Sequence, residues 1–311
     1  MARLITLGLF SALFFSSTFV LNRFMSLEGG HWVWSASLRY AFMIVFLLIL
    51  LLFFQGVKKT IAVFVLFKAH CLFWTVAGSI GFGGFYALIC FSADYSPSWV
   101  IAATWQLTII ASLLVLMLFG RRFPSRVWFF ALLIVGGVGM VNFSHVESFS
   151  WDVLVKGAIP VLFASFCYPF GNQLVWEAKH GHRYFPKIDS PLLDNAFNKV
   201  FLLSLGSLPF WAVLIALSLP PIPSSSQILS TALVALLSGV IATSLFLRAR
   251  SFAKKPSEIA AVDATQASEV IFALVGEVLF LGIALPSMYA WLGMSLVFGG
   301  LGLFIFFQER R

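Results

Sequence analysis

Apolar runs recur from one end of the chain to the other, broken by short polar turns. A helix needs roughly 20 predominantly apolar residues, or about 17 to 25, to cross the hydrocarbon core of a bilayer. By that measure the pattern predicts ten helices, at residues 4-22, 32-54, 70-92, 97-119, 127-143, 153-176, 196-218, 228-247, 259-283 and 287-307. Most connections are short, so most neighbours are antiparallel hairpins. The opening MARLITLGLF has Arg3 ahead of an apolar run, as a secretory leader would, but no convincing small-residue cleavage site follows. It leads straight into a hairpin partner and is read as the first span.

Composition agrees with this pattern. With 60% hydrophobic and 10% charged residues in 311, the chain holds more apolar material than a soluble core of that length can hide. The formal net charge of +8 would suggest acidic partners in a soluble protein, but here its placement explains it. Arg3, then Lys58, Lys59 and Lys68, then Arg121, Arg122 and Arg126, then Lys179, Arg183 and Lys187, then Arg248, Arg250, Lys254 and Lys255, then Arg310 and Arg311 fall at alternate span ends. The intervening loops offer little beyond Arg23. The positive-inside rule therefore puts both termini and the even-numbered loops in the cytoplasm, with the cell membrane as the expected location.

Cys71, Cys90 and Cys167 lie in or beside apolar spans without repeated spacing, so neither a disulfide framework nor a metal motif follows. Trp32, Trp34, Trp99, Trp128, Trp151 and Trp176 fall near span ends and read as interfacial anchors, which leaves Trp105 to face a cavity.

Shifting the chain by 160 residues lays WQLTIIASLLVLMLFG, from Trp105, over TQASEVIFALVGEVLF, from Thr265. Gln106 then meets Gln266, Leu114 meets Leu274 and Val115 meets Val275. Farther on, Pro124-Ser125 aligns with Pro286-Ser287, and GGVG at 136-139 with GGLG at 299-302. Upstream, LFFSSTFVLN ending at Asn22 is similar to LFASFCYPFGN ending at Asn172. The chain therefore reads as two copies of a five-helix unit, about 1-144 and 152-311, dividing it into halves 1-144 and 145-311. The cytoplasmic connector, about 177-194, lies inside the second half. Because five is odd, the second copy enters the membrane from the opposite face. The expected fold class is all-α integral membrane, ten transmembrane helices as two inverted five-helix repeats, with a site near the midplane between them.

Two such halves, the sequence Leu38-Arg39-Tyr40 early in the second span, the Pro97-containing start of the fourth, and FALVGEVLFLG followed by GGLG resemble the drug/metabolite transporter superfamily. The likeness is closest to its ten-helix, EamA-like multidrug-resistance-efflux branch and covers nearly the whole chain. It implies a small-molecule exporter driven by proton exchange. Two departures stand out. Relatives commonly carry Gly-Glu after the fourth and ninth spans, where this chain has Gly120-Arg121 and Gly282-Ile283. Small four-helix members use a glutamate in the first span for proton coupling, and this first span has no acid.

The stretch VDATQASEVIFALVGE, 262-277, lies in the ninth span and carries the chemistry. A charged side chain costs about 2.5 to 3.5 kcal/mol at a helix centre on insertion scales and usually faces the bundle interior or water. At about 100° per residue, with Asp263 at zero, Gln266 falls near about -60°, Glu269 near about -120° and Glu277 near about -40°, a shared arc of about 120°. Asp263 is near the cytoplasmic end, Glu269 near the centre and Glu277 toward the outside. A central carboxyl that either holds a proton or pairs with a cation can couple proton entry to the exit of a cationic or zwitterionic substrate. Glu269 is the first candidate for this role, with Asp263 and Glu277 behind it. The bland alternative is that these acids pair with Arg39 or Lys199 to position helices, or that Asp263 is wetted at the helix end.

Gln106 and Gln266 are candidates for the cavity wall, with Trp105 and Tyr168 able to stack on an aromatic or cationic ligand. Interhelical hydrogen bonding without a ligand is the competing reading. In CYPFGNQ, Pro169 and Gly171 precede Asn172, so the sixth helix is expected to kink or break and expose carbonyls there. Arg39 can hold an anion, pair with an acid or snorkel outward. Grouped glycines, GFGG at 81-84 included, read as close helix packing, since no strand precedes them and no Lys-Ser/Thr follows. His180 and His182 in the connector lack further ligands at fixed spacing and read as part of a solvated loop.

These residues point to a secondary transporter of small organic, cationic or amphipathic compounds, working with protons by alternating access. Its partners are the bilayer, the substrate and protons, without nucleic acid, cofactor or metal, as a monomer or homodimer. A membrane-embedded enzyme acting on lipid-like substrates and a passive channel are the alternatives.

Overall fold

A segment surrounded by lipid must satisfy its backbone hydrogen bonds internally, which leaves helices or closed barrels. The computed structural model describes residues 2–123, 125–144, 151, 154–181, 185–253 and 256–308, and among them every element is helical. The long helical units are α1 (Ala2–Leu27), α2 (Trp32–Ala69), α3 (Cys71–Ser92), α4 (Ser98–Leu118), α5 (Ser125–Ser144), α6 (Leu154–His180), α7 (Ala196–Ser218), α8 (Ser225–Phe252), α9 (Ala261–Leu281) and α10 (Met288–Gln308). Among the described residues nine are long and apolar enough to cross a membrane, and α10 adds a tenth apolar helix over Met288–Phe304. The protein is thus an all-helical, multi-span membrane protein.

The second span differs from its expected end at residue 54. Helix continues to Ala69, across a break at Gly56 (φ 79°, ψ 166°). That backbone conformation is open to glycine and turns the chain, after which the apolar segment with Lys58 and Lys59 resumes helix. Gly120 (φ 82°) ends α4 in the same left-handed region. Its N–H donates to Met117 O at 2.9 Å, and the N–H of Arg121 donates to Leu116 O at 3.0 Å, a glycine C-cap that depends on backbone rather than on the following side chain.

Beyond the break in α2, five helices contain local irregularities among the described residues, α6 beginning as a π-helix over Leu154–Ala158. α3 widens to a π-helix over Ser79–Gly84 and α8 over Ala235–Ala242. α4 is interrupted between Trp105 and Thr108, and α9 tightens to a 3-10 turn over Thr265–Ser268. Such segments change the phase of the side chains that follow them. By contrast, α6 runs through Pro169 as continuous helix from Ile159 to His180, so the expected interruption at CYPFGNQ does not occur.

Around the bundle, α1 packs on α8 and α9, α6 on α3 and α4, α7 on α2 and α3, α2 on α8, and α5 on α10. Backbones come close where side chains vanish: an added Cβ at Gly206 of α7 would stand 1.9 Å from Trp74 O of α3. Trp99, expected as an interfacial anchor, is 4% exposed and joins the core, because the start of α4 is drawn inward by a carboxylate described below.

The connector between α6 and α7 is less solvated than expected. Ile188 and Leu193 are buried, and the Ile188 N–H donates to Ala178 O at 2.8 Å. Lys179 pairs with Asp194, and this neighbour holds the Asp194 carboxyl below its ordinary range. His180 stacks on Trp176, whereas His182 and Arg183 lie outside the described residues. So do Lys254, Lys255, Arg310, Arg311 and residues 145–150, where the two halves are expected to join.

Candidate substrate and coupling site

Three helices contribute an aromatic wall. Phe85 of α3, Trp105 of α4 and Tyr168 of α6 meet with ring centroids 4.9 Å (Phe85–Trp105), 5.2 Å (Phe85–Tyr168) and 5.8 Å (Trp105–Tyr168) apart. The wall continues through Tyr86 to Tyr40 and Trp211, which stack at 5.4 Å. Tyr168 keeps 38% of its own surface exposed. Trp105 and Tyr168 thus meet in one cluster. Asn172, one turn along α6, is also exposed and spends its amide on Tyr168 O at 2.9 Å.

Glu269 is the first residue of regular α-helix after the 3-10 turn of α9. It is 6% exposed and has no hydrogen-bond or ion-pair partner among the described residues. Tyr168 lies within its electrostatic reach and within that of Arg39.

The other two acids are already engaged. Asp263 faces Arg250 at 3.5 Å, both side chains being about two-fifths exposed (39% and 45%). This is a different cation from the Arg39 or Lys199 weighed from sequence, because α8 ends beside the start of α9. A half-exposed pair of this kind contributes about 0–1 kcal/mol. Glu277 is fully buried, and its Oε2 accepts from Ser98 Oγ at 2.6 Å, from the Ser98 N–H at 2.9 Å and from the Trp99 N–H at 3.4 Å. It caps the N-terminus of α4, where backbone N–H groups lack partners of their own. The acids thus share one helix but meet three different environments: the 3-10 turn alters their phase, and Asp263 and Glu277 stand about 21 Å apart along a helix rising about 1.5 Å per residue.

Gln106 sits in the α4 interruption and donates to Ala102 O at 3.2 Å. Gln266 donates to Gly8 O of α1 at 3.4 Å and to Thr265 Oγ1 at 3.2 Å, leaving its buried Oε1 without a partner. The two matching glutamines therefore serve the helix breaks rather than each other.

Arg39 is 7% exposed and faces into the bundle, which excludes snorkelling. Its Nη2 donates to Ser238 Oγ at 3.1 Å, and the guanidinium carbon stands 3.9 Å from the centre of the Tyr86 ring. Nε and Nη1 are enclosed without a protein acceptor. Each such orphaned group costs about 1–3 kcal/mol, more when charged. Asn22 of α1 fixes the Tyr86 hydroxyl, its Nδ2 donating at 3.0 Å. Tyr86, Phe85, Ser238, Asn22 and Ser98 were not singled out from sequence. Two of them carried a signal: Ser98 by its place directly after Pro97, and Asn22 as the repeat counterpart of Asn172.

Removing the hydroxyl in Ser98→Ala is expected to weaken folding by about 1.5–3 kcal/mol, since a buried carboxylate loses a short hydrogen bond. Thermal unfolding in detergent reads this as a lower midpoint; an unchanged midpoint would refute the cap.

A recess of about 630 Å³ lies elsewhere, between α5 and α10, lined by residues including Gly136, Met140, Phe143, Ser287 and Tyr289. Among the described residues its lining includes no carboxylate or cation.

Against known proteins, the chain matches a family, EmrE, described as "Putative multidrug resistance efflux transporter", over residues 2–310. It is 36% identical over 324 aligned residues to "Uncharacterized protein YjlA" of Bacillus subtilis (strain 168), covering 99% of this chain and 95% of that one. It is 36% identical over 276 to an "Uncharacterized 42.1 kDa protein in intracellular alkaline protease 3'region" of Shouchella clausii, covering 85% and 69%. A solved crystal structure superposes over 99% of both chains with a TM-score of 0.61 at 15% identity, a likeness of fold alone.

Proposed function

The chain belongs to this family of multidrug resistance efflux transporters, and from that premise we propose that it exports small organic compounds, cationic or amphipathic, by proton-coupled alternating access. The observation that carries the reading is Glu269: a carboxyl buried in the bundle within electrostatic reach of the aromatic wall, with no hydrogen-bond or ion-pair partner among the described residues. A group so placed must carry either a proton or a bound cation, because an ionised and unpaired carboxylate is costly in such surroundings. Exchange of the one for the other is the elementary step of coupling. Asp263, paired with Arg250 at the cytoplasmic end, sits on the proton's way to it, and Glu277 holds the outer ends of α9 and α4 together.

The packing supports two inverted halves. Exchanging each helix for the one five places along turns α1 on α8 and α9 into α6 on α3 and α4, and returns α2 on α7 and α5 on α10 to themselves. The π segments of α3 and α8 and the breaks of α4 and α9 correspond in the same way. Rocking of one half against the other would then expose the recess to each side in turn. Both termini and the basic loops face the cytoplasm in this arrangement, at the cell membrane.

The test is purified protein in liposomes loaded with a pH-sensitive dye. Substrate-triggered proton movement is expected. Leak without substrate, or product formation, would overturn the reading.

A further inference from the structure

Arg39 is the second buried charge of the central region, and coupling by Glu269 leaves it unused. Its surroundings are aromatic and neutral: Tyr86 beneath the guanidinium, Tyr40 beside it, Cys90 near by and Ser238 as its one hydrogen-bond acceptor. Among the described residues no carboxylate reaches it; the ion pairs there join Lys179 to Asp194 and Arg250 to Asp263. Guanidinium cannot shed its proton to escape burial, as a lysine can, so the charge persists whatever the pH. Nε and Nη1 are therefore enclosed by protein, and no acceptor among the described residues receives their N–H groups.

Four helices hold the group in this state. α2 carries it, α3 supplies the ring under it, α8 supplies Ser238, and α1 locks the ring through Asn22. A side chain kept only as a packing strut would gain from a carboxylate at hydrogen-bond distance, yet Asp263 and Glu277 of α9 are engaged elsewhere. Tyr86 leads through Phe85 to Tyr168, which is within electrostatic reach of both Arg39 and Glu269. The free guanidinium edge and the aromatic recess thus belong to one region.

We propose that Arg39 is the anion-binding group of the substrate site, so that the transported compound carries a carboxylate beside an apolar or aromatic body. The planar fork of donors suits a carboxylate. A lone cation with one neutral companion suits a monoanion better than a doubly charged phosphate. A zwitterion meets both ends of the region, its carboxylate at Arg39 and its ammonium toward Glu269, whereas a simple organic cation is repelled by Arg39. This inference rests on the reading of the aromatic wall as the transport site, and within the proposed class it keeps amphipathic carboxylates and zwitterions and removes simple organic cations.

The probe is a matched series with one ring and one chain length: 3-phenylpropionate, 3-phenylpropionamide and 3-phenylpropylammonium. Thermal stabilisation of the full chain in detergent reports binding without requiring transport. The carboxylate is expected to stabilise the wild type, with the amide and the ammonium weaker by about tenfold to a hundredfold, the range for a charge-assisted hydrogen bond. Arg39→Gln should erase that preference and Arg39→Lys should keep part of it. Preference for the ammonium, no stabilisation by the carboxylate, or an undiminished carboxylate response in folded Arg39→Gln overturns the proposal. If Arg39→Gln does not fold, the wild-type series and Arg39→Lys decide it. Carboxylate-selective binding without proton-linked flux would instead refute the transporter reading, so the two failures are distinct.

Discussion

Glu269→Gln is expected to abolish proton-coupled flux while leaving folded protein in the membrane. The substitution keeps the volume and a polar tip but removes the only proton that the site can exchange. Folding should survive, because among the described residues no group hydrogen-bonds or pairs with the carboxyl, so none is orphaned by its loss. The amide even relieves a charge from a setting where an ionised group costs about 2.5 to 3.5 kcal/mol on insertion scales. In liposomes the variant should show no substrate-driven signal from the internal pH dye, and any residual substrate movement should no longer respond to the pH gradient. Retention of wild-type rate and pH dependence would remove Glu269 from the mechanism. Glu277→Gln makes the contrast: there a buried cap with three donors is altered, so loss of stability should come before any specific loss of coupling.

Gly206→Leu is expected to prevent stable assembly of α7 on α3. Even the first added atom would lie 1.9 Å from Trp74 O and 2.5 Å from its carbonyl carbon, both of them backbone. No rotamer change relieves a clash with backbone, so the helices must separate by at least about 1 Å, forfeiting the dispersion contacts that hold helices together in lipid. Overpacking in a well-filled core typically costs about 1–3 kcal/mol and occasionally more. A full side chain on this contact belongs at the upper end, a large share of the roughly 5–15 kcal/mol that holds a domain folded. Size-exclusion profile and thermal midpoint in detergent give the measure. Gly136→Leu is the control, since a Cβ there meets nothing within 4 Å. Equal behaviour of the two variants would show that close approach at Gly206 is not what holds α7.

How far each feature could be read from the sequence follows from how local it is. The helix count came from hydrophobic length, whereas the contact between Trp105 and Tyr168 depends on how α4 and α6 pack. The extension of α2 beyond residue 54 escaped because its outcome turned on the dihedrals of one glycine. Placing Asp263, Gln266, Glu269 and Glu277 on a single arc assumed unbroken helix, and the 3-10 turn at Thr265–Ser268 removed that assumption. Gln106 matched Gln266 by sequence offset, yet what the two share is a place in a helix break.

Sequence by itself determined that this chain is a bundle of membrane-crossing helices, since lipid leaves each apolar span to satisfy its own backbone and that requirement is met residue by residue along the chain. It also named the few charged groups inside the spans. Only the tertiary structure decided which of them are spoken for: Glu277 by the start of α4, Asp263 by the end of α8, and neither Glu269 nor Arg39 by any carboxylate or cation among the described residues. Pairing depends on what another helix presents at the same depth and on the same face, and no local pattern records that.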